Sequence, residues 1–281
     1  MPDPDPWVLR VLREGYQIPF LNSPPALSSQ PIALTAYHPG SEKYRVLVDE
    51  VQSMLEKDAI EAVDDGFLGF YNRLFAVQKA NGGWRPVLDV SVLNKFVSLT
   101  KFKMESPRSV LQSVRLGDWM VSIDLQDAYF HVPIHPGSRK FLRFVFAGQV
   151  YQFKALCFGL STAPQVFTRV FAQVAKWLHL QGVRVVFYLD DWLVLDQSFA
   201  RILEATCIIF QFSKVLGFVV NHKKSCLVPS QVAVYLGMVI NTRTFVVSPK
   251  EKRISNFLSL LGEFLSSSRP PARSWQVLLG H

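Results

Sequence analysis

Cysteine is scarce in this chain, and its spacing is not typical of a disulfide framework or a zinc site. Cys157, Cys207 and Cys226 are the only three, and they lie far apart. None belongs to a Cys-x-x-Cys pair, which excludes the usual zinc spacing. We therefore expect reduced thiols in an intracellular protein of the cytoplasm or nucleus that is not secreted.

Long apolar runs and a secretory leader are also lacking. No uncharged apolar stretch reaches the roughly 18 residues that a membrane helix needs. The opening Met1-Pro2-Asp3-Pro4-Asp5-Pro6 has no basic segment followed by an apolar one. From this opening we expect neither a signal peptide nor a membrane partner.

Acidic side chains are outnumbered by basic ones. The 281 residues contain 30 Lys and Arg against 22 Asp and Glu, which gives a net charge of +8. A basic excess favours a polyanion partner such as nucleic acid, although a basic surface kept for solubility remains an alternative. Hydrophobic residues make up 49% of the chain, enough for a substantial core of one large domain or two smaller ones.

The apolar spacing predicts a mixture of helices and short strands. Proline and serine in residues 1–40 indicate an extended arm. Helices are predicted from Ser41, with Tyr44, Val48, Val51 and Leu55 on one face, and from Thr162, Phe199 and Ser248. Strands are predicted on both sides of Asn81-Gly82-Gly83, over Trp119–Leu125, and on both sides of Gly148.

Two acidic positions at the ends of apolar segments carry the functional prediction. Asp190 and Asp191 interrupt the apolar run from Val185 to Leu195, and Asp124 ends the strand that begins at Trp119. Adjacent ionised carboxylates repel each other, but they suit a hard cation such as Mg²⁺. Neighbouring strands would bring Asp124 beside the Asp190 hairpin, where three carboxylates would hold two Mg²⁺ for an in-line phosphoryl displacement. A strand-terminal Asp that caps the next turn is the alternative for Asp124.

Strand alternation also ranks the three acids. Successive residues of a strand point to opposite faces, so Asp190 shares a face with Tyr188. Asp191 points away unless the turn redirects it. We therefore expect Asp124 and Asp190 to be the main ligands and Asp191 to be more peripheral.

Six segments in chain order resemble the polymerase motifs of reverse transcriptases, and the resemblance covers roughly residues 41–265. They are Phe75–Lys79 with Gly83–Asp89 and Leu93-Asn94 (fingers), Asp124–Ile134 (motif A), Tyr151–Phe153 with Phe158–Pro164 (motif B), Tyr188–Asp191 (motif C), Gly217–Ser225 (motif D) and Tyr235–Gly237 (primer grip). Within that class the chain is most similar to retrotransposon enzymes of the gypsy and DIRS groups. Tyr-Leu-Asp-Asp-Trp-Leu and the opening Trp7-Val8-Leu9 with Glu14-Gly15-Tyr16 favour the DIRS group.

The resemblance implies an α+β right-hand polymerase fold, with an antiparallel palm sheet packed on helices, fingers and a partial thumb. The implied division is an extended N-terminal arm (1–40), fingers with the start of the palm (41–118), a catalytic palm with a fingers insertion near 135–155 (119–247), and a truncated thumb (248–281). The implied activity is RNA-directed DNA synthesis from dNTPs on a primed RNA or DNA template. RNase H activity is expected only in a longer parent polyprotein.

The resemblance also implies roles for particular residues. Asp124, Asp190, Asp191 and the main-chain carbonyl of Leu125 would hold two Mg²⁺, with Mn²⁺ as an alternative. The implied dNTP-binding residues are Lys79, Arg85, Asp127, Ala128, Tyr129, Phe158 and Gly159, with Tyr129 as the steric gate against a 2′-hydroxyl. Lys223 or Lys224 is a possible general acid, and Tyr235, Leu236 and Gly237 form the primer grip.

Some features depart from the family pattern, and other functions stay open. Cys157 stands where a proline usually precedes Phe-Gly, and Ser91 stands where an arginine often follows the fingers Asp. A catalytically weak or domesticated fragment that only binds nucleic acid is the alternative function. A metal-dependent nuclease is less favoured, because a nuclease needs neither a sugar gate nor a dNTP pocket.

Overall fold

The computed structural model describes residues 5–34, 37–64, 68–78, 84–102, 104, 106–266 and 271–279, without the side chains of Arg85 and 277–279. The helices are α1 (Pro6–Glu14), α2 (Glu42–Glu56), α3 (Ser91–Asn94), α4 (Pro107–Ser113), α5 (Pro136–Arg139), α6 (Ala163–Leu180), α7 (Phe199–Val215), α8 (Glu251–Ser266) and α9 (Ala272–Leu279), with a 3₁₀ turn at Ala128–His131. The strands are β1 (Ile60–Ala62), β2 (Arg73–Gln78), β3 (Trp84–Asp89), β4 (Trp119–Asp124), β5 (Arg143–Phe146), β6 (Gln149–Phe153), β7 (Arg184–Tyr188), β8 (Asp191–Asp196), β9 (Cys226–Ser230), β10 (Val232–Tyr235), β11 (Met238–Asn241) and β12 (Val246–Pro249).

The described residues form two compact units. The first unit comprises Met1–Met104, Leu125–Trp177 and Leu216–Val219. The second comprises Glu105–Asp124, Leu178–Val215 and Val220–His281. The predicted division into arm, fingers, palm and thumb follows other boundaries and stays a prediction.

The first unit combines two small antiparallel sheets with helices. One sheet has the strand order β1-β6-β5, and the other is the β2-β3 hairpin. The strands predicted on both sides of Gly148 are confirmed as β5 and β6. Those predicted around Asn81-Gly82-Gly83 are confirmed as β2 and β3, while the turn itself lies outside the described residues.

Helix α2 is confirmed, but its buried face differs from the predicted one. Ser41 caps the helix by accepting a hydrogen bond from the Tyr44 amide. Leu47, Val51 and Met54 are buried, whereas Val48 is 41% exposed. The helix has more apolar residues than one face can bury. Spacing alone therefore predicted a buried face that shares only Val51 with the observed one.

The second unit contains the sheet that carries the three acids. Its strand order is β7-β8-β4-β9, and all three pairings are antiparallel. The central strand β8 is buried from Trp192 to Leu195. Strands buried on both faces are typically continuous apolar runs, and this run fixes the sheet in the core.

A cluster of apolar side chains packs around this sheet. Its buried members are Val110, Val114, Met120, Val186, Leu193, Leu195, Tyr235 and Ile240. A second sheet of the same unit, β10-β11-β12, supplies Tyr235 and Ile240. Tyr235, the first residue of the predicted primer grip, thus packs against the sheet that carries the acids.

Other predicted helical faces have different outcomes. Phe167, Val170, Phe171, Val174 and Leu178 of α6 are all buried, which confirms that face. Helix α8 begins two residues later than the Pro249 start that its capping pattern predicted, because Pro249 ends β12. No residue of α8 is buried within the described part of the chain.

No described helix is both long and apolar enough to cross a membrane.

Candidate active site

The sheet register places Asp124 directly opposite Asp191. Strands β4 and β8 pair antiparallel, with Ile123 opposite Trp192 and Asp124 opposite Asp191. Ile123 is 1% exposed and Trp192 is fully buried, so core packing fixes this register. Cβ atoms of directly opposed strand residues lie about 5 Å apart, which makes the two carboxylates neighbours.

A tight turn separates Asp190 from that pairing. Tyr188 pairs with Asp191 across the β7–β8 hairpin, so Leu189 and Asp190 alone form the turn. Leu189 has a φ of 54°, which a two-residue hairpin turn requires at this position and which costs a β-carbon-bearing residue about 1–2 kcal/mol. Strand alternation does not pass through such a turn. The register therefore pairs Asp124 with Asp191 and not with Asp190. The predicted ranking of the three acids as metal ligands stays a prediction.

The surroundings of Asp191 disfavour its ionised form. Burial, together with the charges of Asp190 and Asp124, raises the pKa of Asp191 to about 6 against a lowering effect of Lys224. The buried Oδ1 atom of Asp124 accepts no hydrogen bond. Its ion-pair contact, the Lys224 ammonium at 3.5 Å, is largely solvent-exposed. A cation beside these carboxylates would offset that charge.

A polar cleft of about 220 Å³ opens at this point of the second unit. Its lining includes Asp124, Asp191, Lys224, Lys250 and the Tyr235–Gly237 turn. Acidic groups and two ammonium groups thus share one cavity. Such a mixture suits a ligand that itself combines metal ions with phosphate oxygens.

Hydrogen bonds from later segments of the chain hold the main chain at both acids. Ser225 Oγ accepts a hydrogen bond from the main-chain amide of Asp124 at 3.0 Å, and the main-chain amide of Asn221 donates to the Asp124 carbonyl at 2.8 Å. The Tyr235 hydroxyl donates to the Asp191 carbonyl at 2.8 Å. Sequence reasoning missed these contacts, because no local pattern links residues so far apart.

Tyr235 therefore differs from its two neighbours in the predicted primer grip. Its ring is buried in the core, with 3% exposure. Leu236 and Gly237 form a two-residue turn between β10 and β11, with φ values of 48° and 77°. Positive φ at both positions is typical of a type I′ turn, and Gly237 adopts it without a steric cost.

The two lysines that sequence reasoning left open have different surroundings. Lys224 lines the cleft and lies 3.5 Å from Asp124. Lys223 is exposed and is not part of the cleft lining. Of the two, Lys224 has the geometry for a proton donor, and its role stays a prediction.

The predicted nucleotide residues belong to the first unit, where three of them cluster. Tyr129 is 7% exposed, and its ring centroid lies 4.6 Å from Phe158 and 5.3 Å from Phe167. Phe158 is 52% exposed. Gly159 has a φ of 98°, and a β-carbon there would lie 2.9 Å from the Leu88 carbonyl oxygen. Both the conformation and the close approach require glycine.

The remaining predicted residues are more scattered. Asp127 has a φ of 49° and forms an ion pair of 2.9 Å with Lys57. Leu125 and Ala128 are buried. Arg85 lies in β3 opposite Val77, but its side chain and the whole of Lys79 lie outside the described residues.

The pair of acids offers ligands for a divalent metal, although it is not a complete metal-binding cage. Across the described ranges, no group of three or more His, Cys, Asp or Glu side chains converges as a metal cage. Asp124 and Asp191 nevertheless supply two neighbouring carboxylates, one with a buried oxygen that lacks a hydrogen bond. Oxygen donors and uncompensated negative charge are what Mg²⁺ and Mn²⁺ prefer.

Comparison with solved structures defines the class of fold. The structure of the foamy viral protease-reverse transcriptase in complex with double-stranded DNA matches with a TM-score of 0.71 at 22% identity, over 94% of this chain and 44% of that one. The same viral protein in complex with an RNA/DNA hybrid also gives a TM-score of 0.71, at 20% identity, over 94% of this chain and 34% of that one. The chain thus has the α+β right-hand polymerase fold that its motifs predicted.

Sequence comparison defines the family. The family model described as reverse transcriptase (RNA-dependent DNA polymerase) matches residues 77–240. The Gag-Pol polyprotein of Walleye dermal sarcoma virus is 28% identical over 182 residues, which cover 64% of this chain and 10% of that polyprotein. The chain belongs to the reverse transcriptase family of retroviral and retroelement polyproteins, and it spans a small part of the length of such relatives.

Proposed function

We propose that this chain is the polymerase part of a retroelement polyprotein and carries out RNA-directed DNA synthesis. In this reaction the primer 3′-hydroxyl attacks the α-phosphate of a dNTP, and pyrophosphate leaves. The observation that carries the proposal is the register of β4 and β8, which pairs Asp124 with Asp191. In a chain of this family, paired carboxylates at neighbouring strand ends support metal-dependent phosphoryl transfer.

Asp124 and Asp191 would hold the metal ions, together with Asp190 and the main-chain carbonyl of Leu125. Reverse transcriptases depend on divalent metal ions, and we propose two Mg²⁺ here, with Mn²⁺ as a substitute. Such ions supply Lewis-acid stabilisation of the attacking and departing oxygens. The chain's own contribution is to fix the carboxylates, through the Ser225 and Tyr235 contacts with their main chain.

The two cleft lysines would act on phosphate groups. Lys224 would donate a proton to the departing pyrophosphate, a general-acid role that its position beside Asp124 supports. Lys250 lines the same cavity and would contact a phosphate as a point charge. Leu236 and Gly237 would hold the primer end.

The first unit would bind the incoming dNTP. Tyr129 would exclude a 2′-hydroxyl, and Phe158 and Gly159 would shape the sugar pocket, which their ring contacts and backbone geometry support. Asp127 and Ala128 would line the nucleotide, and Lys79 and Arg85 would grip its triphosphate. The template would be RNA or DNA, as in the complexes of the foamy viral protein.

Primer extension on an RNA template tests the proposal. With Mg²⁺ and dNTPs, D124N and D191N should lose about a hundredfold or more of the extension rate, because each removes a metal ligand. D196N is the matched control, since Asp196 lies at the opposite end of β8. Extension by D191N at the wild-type rate would rule out the proposed metal site. Salt-sensitive binding without extension by the wild type would favour the binding-only alternative.

We further propose that the element is DIRS-like and acts inside the cell, in the cytoplasm or nucleus. The Tyr-Leu-Asp-Asp-Trp-Leu segment and the opening Trp7-Val8-Leu9 support that subgroup. RNase H activity would belong to a longer parent. Sequencing the parent reading frame tests this: an RNase H acidic pattern followed by a tyrosine recombinase is expected, and a retroviral integrase instead would contradict it.

A further inference from the structure

The loop Phe158–Ser161 is held by a side chain from a distant part of the first unit. Asn94, the last residue of α3, donates a hydrogen bond from Nδ2 to the Gly159 carbonyl at 2.8 Å. Its Oδ1 accepts a hydrogen bond from the Ser161 amide at 2.9 Å. The side-chain carboxamide of Asn94 therefore pairs with one backbone carbonyl before Leu160 and one backbone amide after it.

Helix α3 is itself firmly placed, so the contact can transmit position. Leu93 is fully buried next to Asn94. The Asp89 carboxylate accepts a hydrogen bond from the main-chain amide of Ser91 at 3.1 Å. The main-chain amide of Asn94 donates to the Val90 carbonyl at 2.8 Å. The buried Leu93 side chain anchors this short helix, and the local hydrogen bonds keep its backbone in register beneath the Asn94 carboxamide.

The loop also touches the segment before α3 through Gly159. A β-carbon at this glycine would lie 2.9 Å from the Leu88 carbonyl oxygen and 3.3 Å from Val90 Cγ2. On the other side, Cys157 is fully buried. Phe158 is thus an exposed residue between two fixed points, and its ring lies 4.6 Å from that of Tyr129.

We propose that Asn94 is a positioning residue that sets the sugar selectivity and the dNTP affinity of this polymerase. By holding the Gly159–Ser161 backbone, it fixes the Phe158 ring against Tyr129, the residue proposed to exclude a 2′-hydroxyl. The inference rests on the proposed function, because it assigns the specificity of the same nucleotide-binding residues. Asn94 itself need not touch the nucleotide.

Two variants separate its two hydrogen bonds. N94A removes both, whereas N94D keeps the acceptor for the Ser161 amide and loses the donor to Gly159. V92A is the matched control, since Val92 lies on the same short helix and is 54% exposed. Amide hydrogen exchange of a peptide covering residues 156–163 reports the loop without requiring activity.

Loss of both bonds should loosen the loop and weaken nucleotide selection. In N94A we expect exchange of the loop amides to accelerate by about tenfold, the KM for dNTP to rise by a similar factor and kcat to change less. The ratio of dNTP to rNTP incorporation should fall. N94D should keep the Ser161 amide protected, while its second carboxylate oxygen repels the Gly159 carbonyl and loosens that side of the loop. V92A should match wild type.

The readouts separate failure of this inference from failure of the proposed function. Wild-type exchange rates in N94A would overturn the positioning role, whether or not the protein is active. Faster exchange with an unchanged KM and sugar ratio would overturn the selectivity. A wild-type chain that extends no primer would contradict the proposed function and the selectivity together, while the exchange data would still decide whether Asn94 holds the loop.

Discussion

Asp190 and Asp191 are neighbours in sequence, yet the hairpin gives them different environments. Asp191 begins β8 and lies opposite Asp124, whereas Asp190 occupies the turn after the strained Leu189. Backbone strain and a raised carboxyl pKa are typical of functional sites.

The raised pKa of Asp191 predicts how metal-free stability depends on pH. Since its pKa of about 6 lies above the ordinary value of 3.8, the folded state binds this proton more tightly than the unfolded state does. Its contribution is therefore present at low pH and is lost as pH rises through about 6. In EDTA, D191N should melt at a higher temperature than wild type above that pH, and the difference should close towards pH 4.

Calorimetry of both proteins across pH, with and without Mg²⁺, checks this prediction. Mg²⁺ should raise the melting temperature of wild type more than that of D191N, because a ligand stabilises the state that binds it. A lower melting temperature for D191N at neutral pH in EDTA would contradict the charge argument.

The Tyr235 hydroxyl offers a second test at the scale of one residue. Y235F keeps the buried ring but loses the hydrogen bond to the Asp191 carbonyl. The free energy of unfolding should fall by about 1 kcal/mol, and the Mg²⁺ concentration for half-maximal extension should rise. Y16F removes a hydroxyl from an equally buried tyrosine of the first unit and serves as the control. If Y235F and Y16F require the same Mg²⁺ concentration for half-maximal extension, the Tyr235 hydroxyl does not help to position the metal ligands.

At the scale of elements, a buried carboxylate joins the start of β4 to β7. Asp118 is fully buried, and its two oxygens accept hydrogen bonds from Arg184 at 2.9 and 3.0 Å. Gln197 also donates to it, and the Arg115 amide does so at 2.8 Å. These contacts tie together strands whose other ends carry the acids, so the network supports the register of the sheet.

Removing this carboxylate should be costly. D118A removes the acceptor shared by Arg184, Gln197 and the Arg115 amide, although Arg184 keeps its contact with the Ser113 carbonyl at 2.7 Å. Breaking a fully buried pair costs about 3–5 kcal/mol of unfolding free energy, so we expect a loss at or below the lower end of that range. Burial alone would raise the pKa of Asp118, but the hydrogen bonds from Arg184, Gln197 and the Arg115 amide together outweigh it and lower that pKa. Its contribution is therefore present above pH 3.8 and is lost below it.

Denaturant unfolding at neutral and acidic pH measures the effect. R201A is the control, because Arg201 is 65% exposed and its ion pair with Asp196 is 3.6 Å long. Exposed pairs contribute about 0–1 kcal/mol. Similar losses in D118A and R201A would show that the buried network does not hold the sheet.

At the scale of the whole molecule, net charge governs how nucleic acid would bind. The chain carries +8, and Lys250, Lys252 and Arg253 lie at the start of the exposed helix α8. If these side chains contact phosphates, affinity for an RNA/DNA duplex should fall steeply with salt. The logarithm of affinity changes by about 0.9 per phosphate contact for each tenfold change in salt.

A charge-matched pair of variants isolates that contribution. K250A/K252A should lower both the affinity and the salt slope, by about 0.9 for each phosphate that a removed ammonium group had neutralised. R10A/R13A removes two exposed charges from α1 in the other unit and should leave the slope nearer that of wild type. Fluorescence anisotropy over a salt series measures both, and equal slopes for the two double variants would contradict phosphate binding at α8.

Part of the fold was predictable and part was not, for reasons that particular residues show. The β5–β6 hairpin follows from Gly148 between apolar segments, and the buried face of α6 follows from helical spacing. Helix α1 was not predicted, because the prolines around it indicate an extended arm; Asp5 caps it and Pro6 fits its first turn. The division into arm, fingers, palm and thumb stays a prediction, as do the DIRS-like subgroup and the roles of individual residues.

Residue types at short range are enough to indicate the family and to place the acids at the ends of apolar strands. The pairing of Asp191 with Asp124 depends instead on the packed fold. So do the hydrogen bonds of Tyr235 and Ser225 to the main chain of these acids, and the contact of Asn94 with the Gly159 loop. Each of these contacts joins segments far apart along the chain. Packing of the buried β8 strand and the geometry of a two-residue turn set them, and neither can be seen in local periodicity.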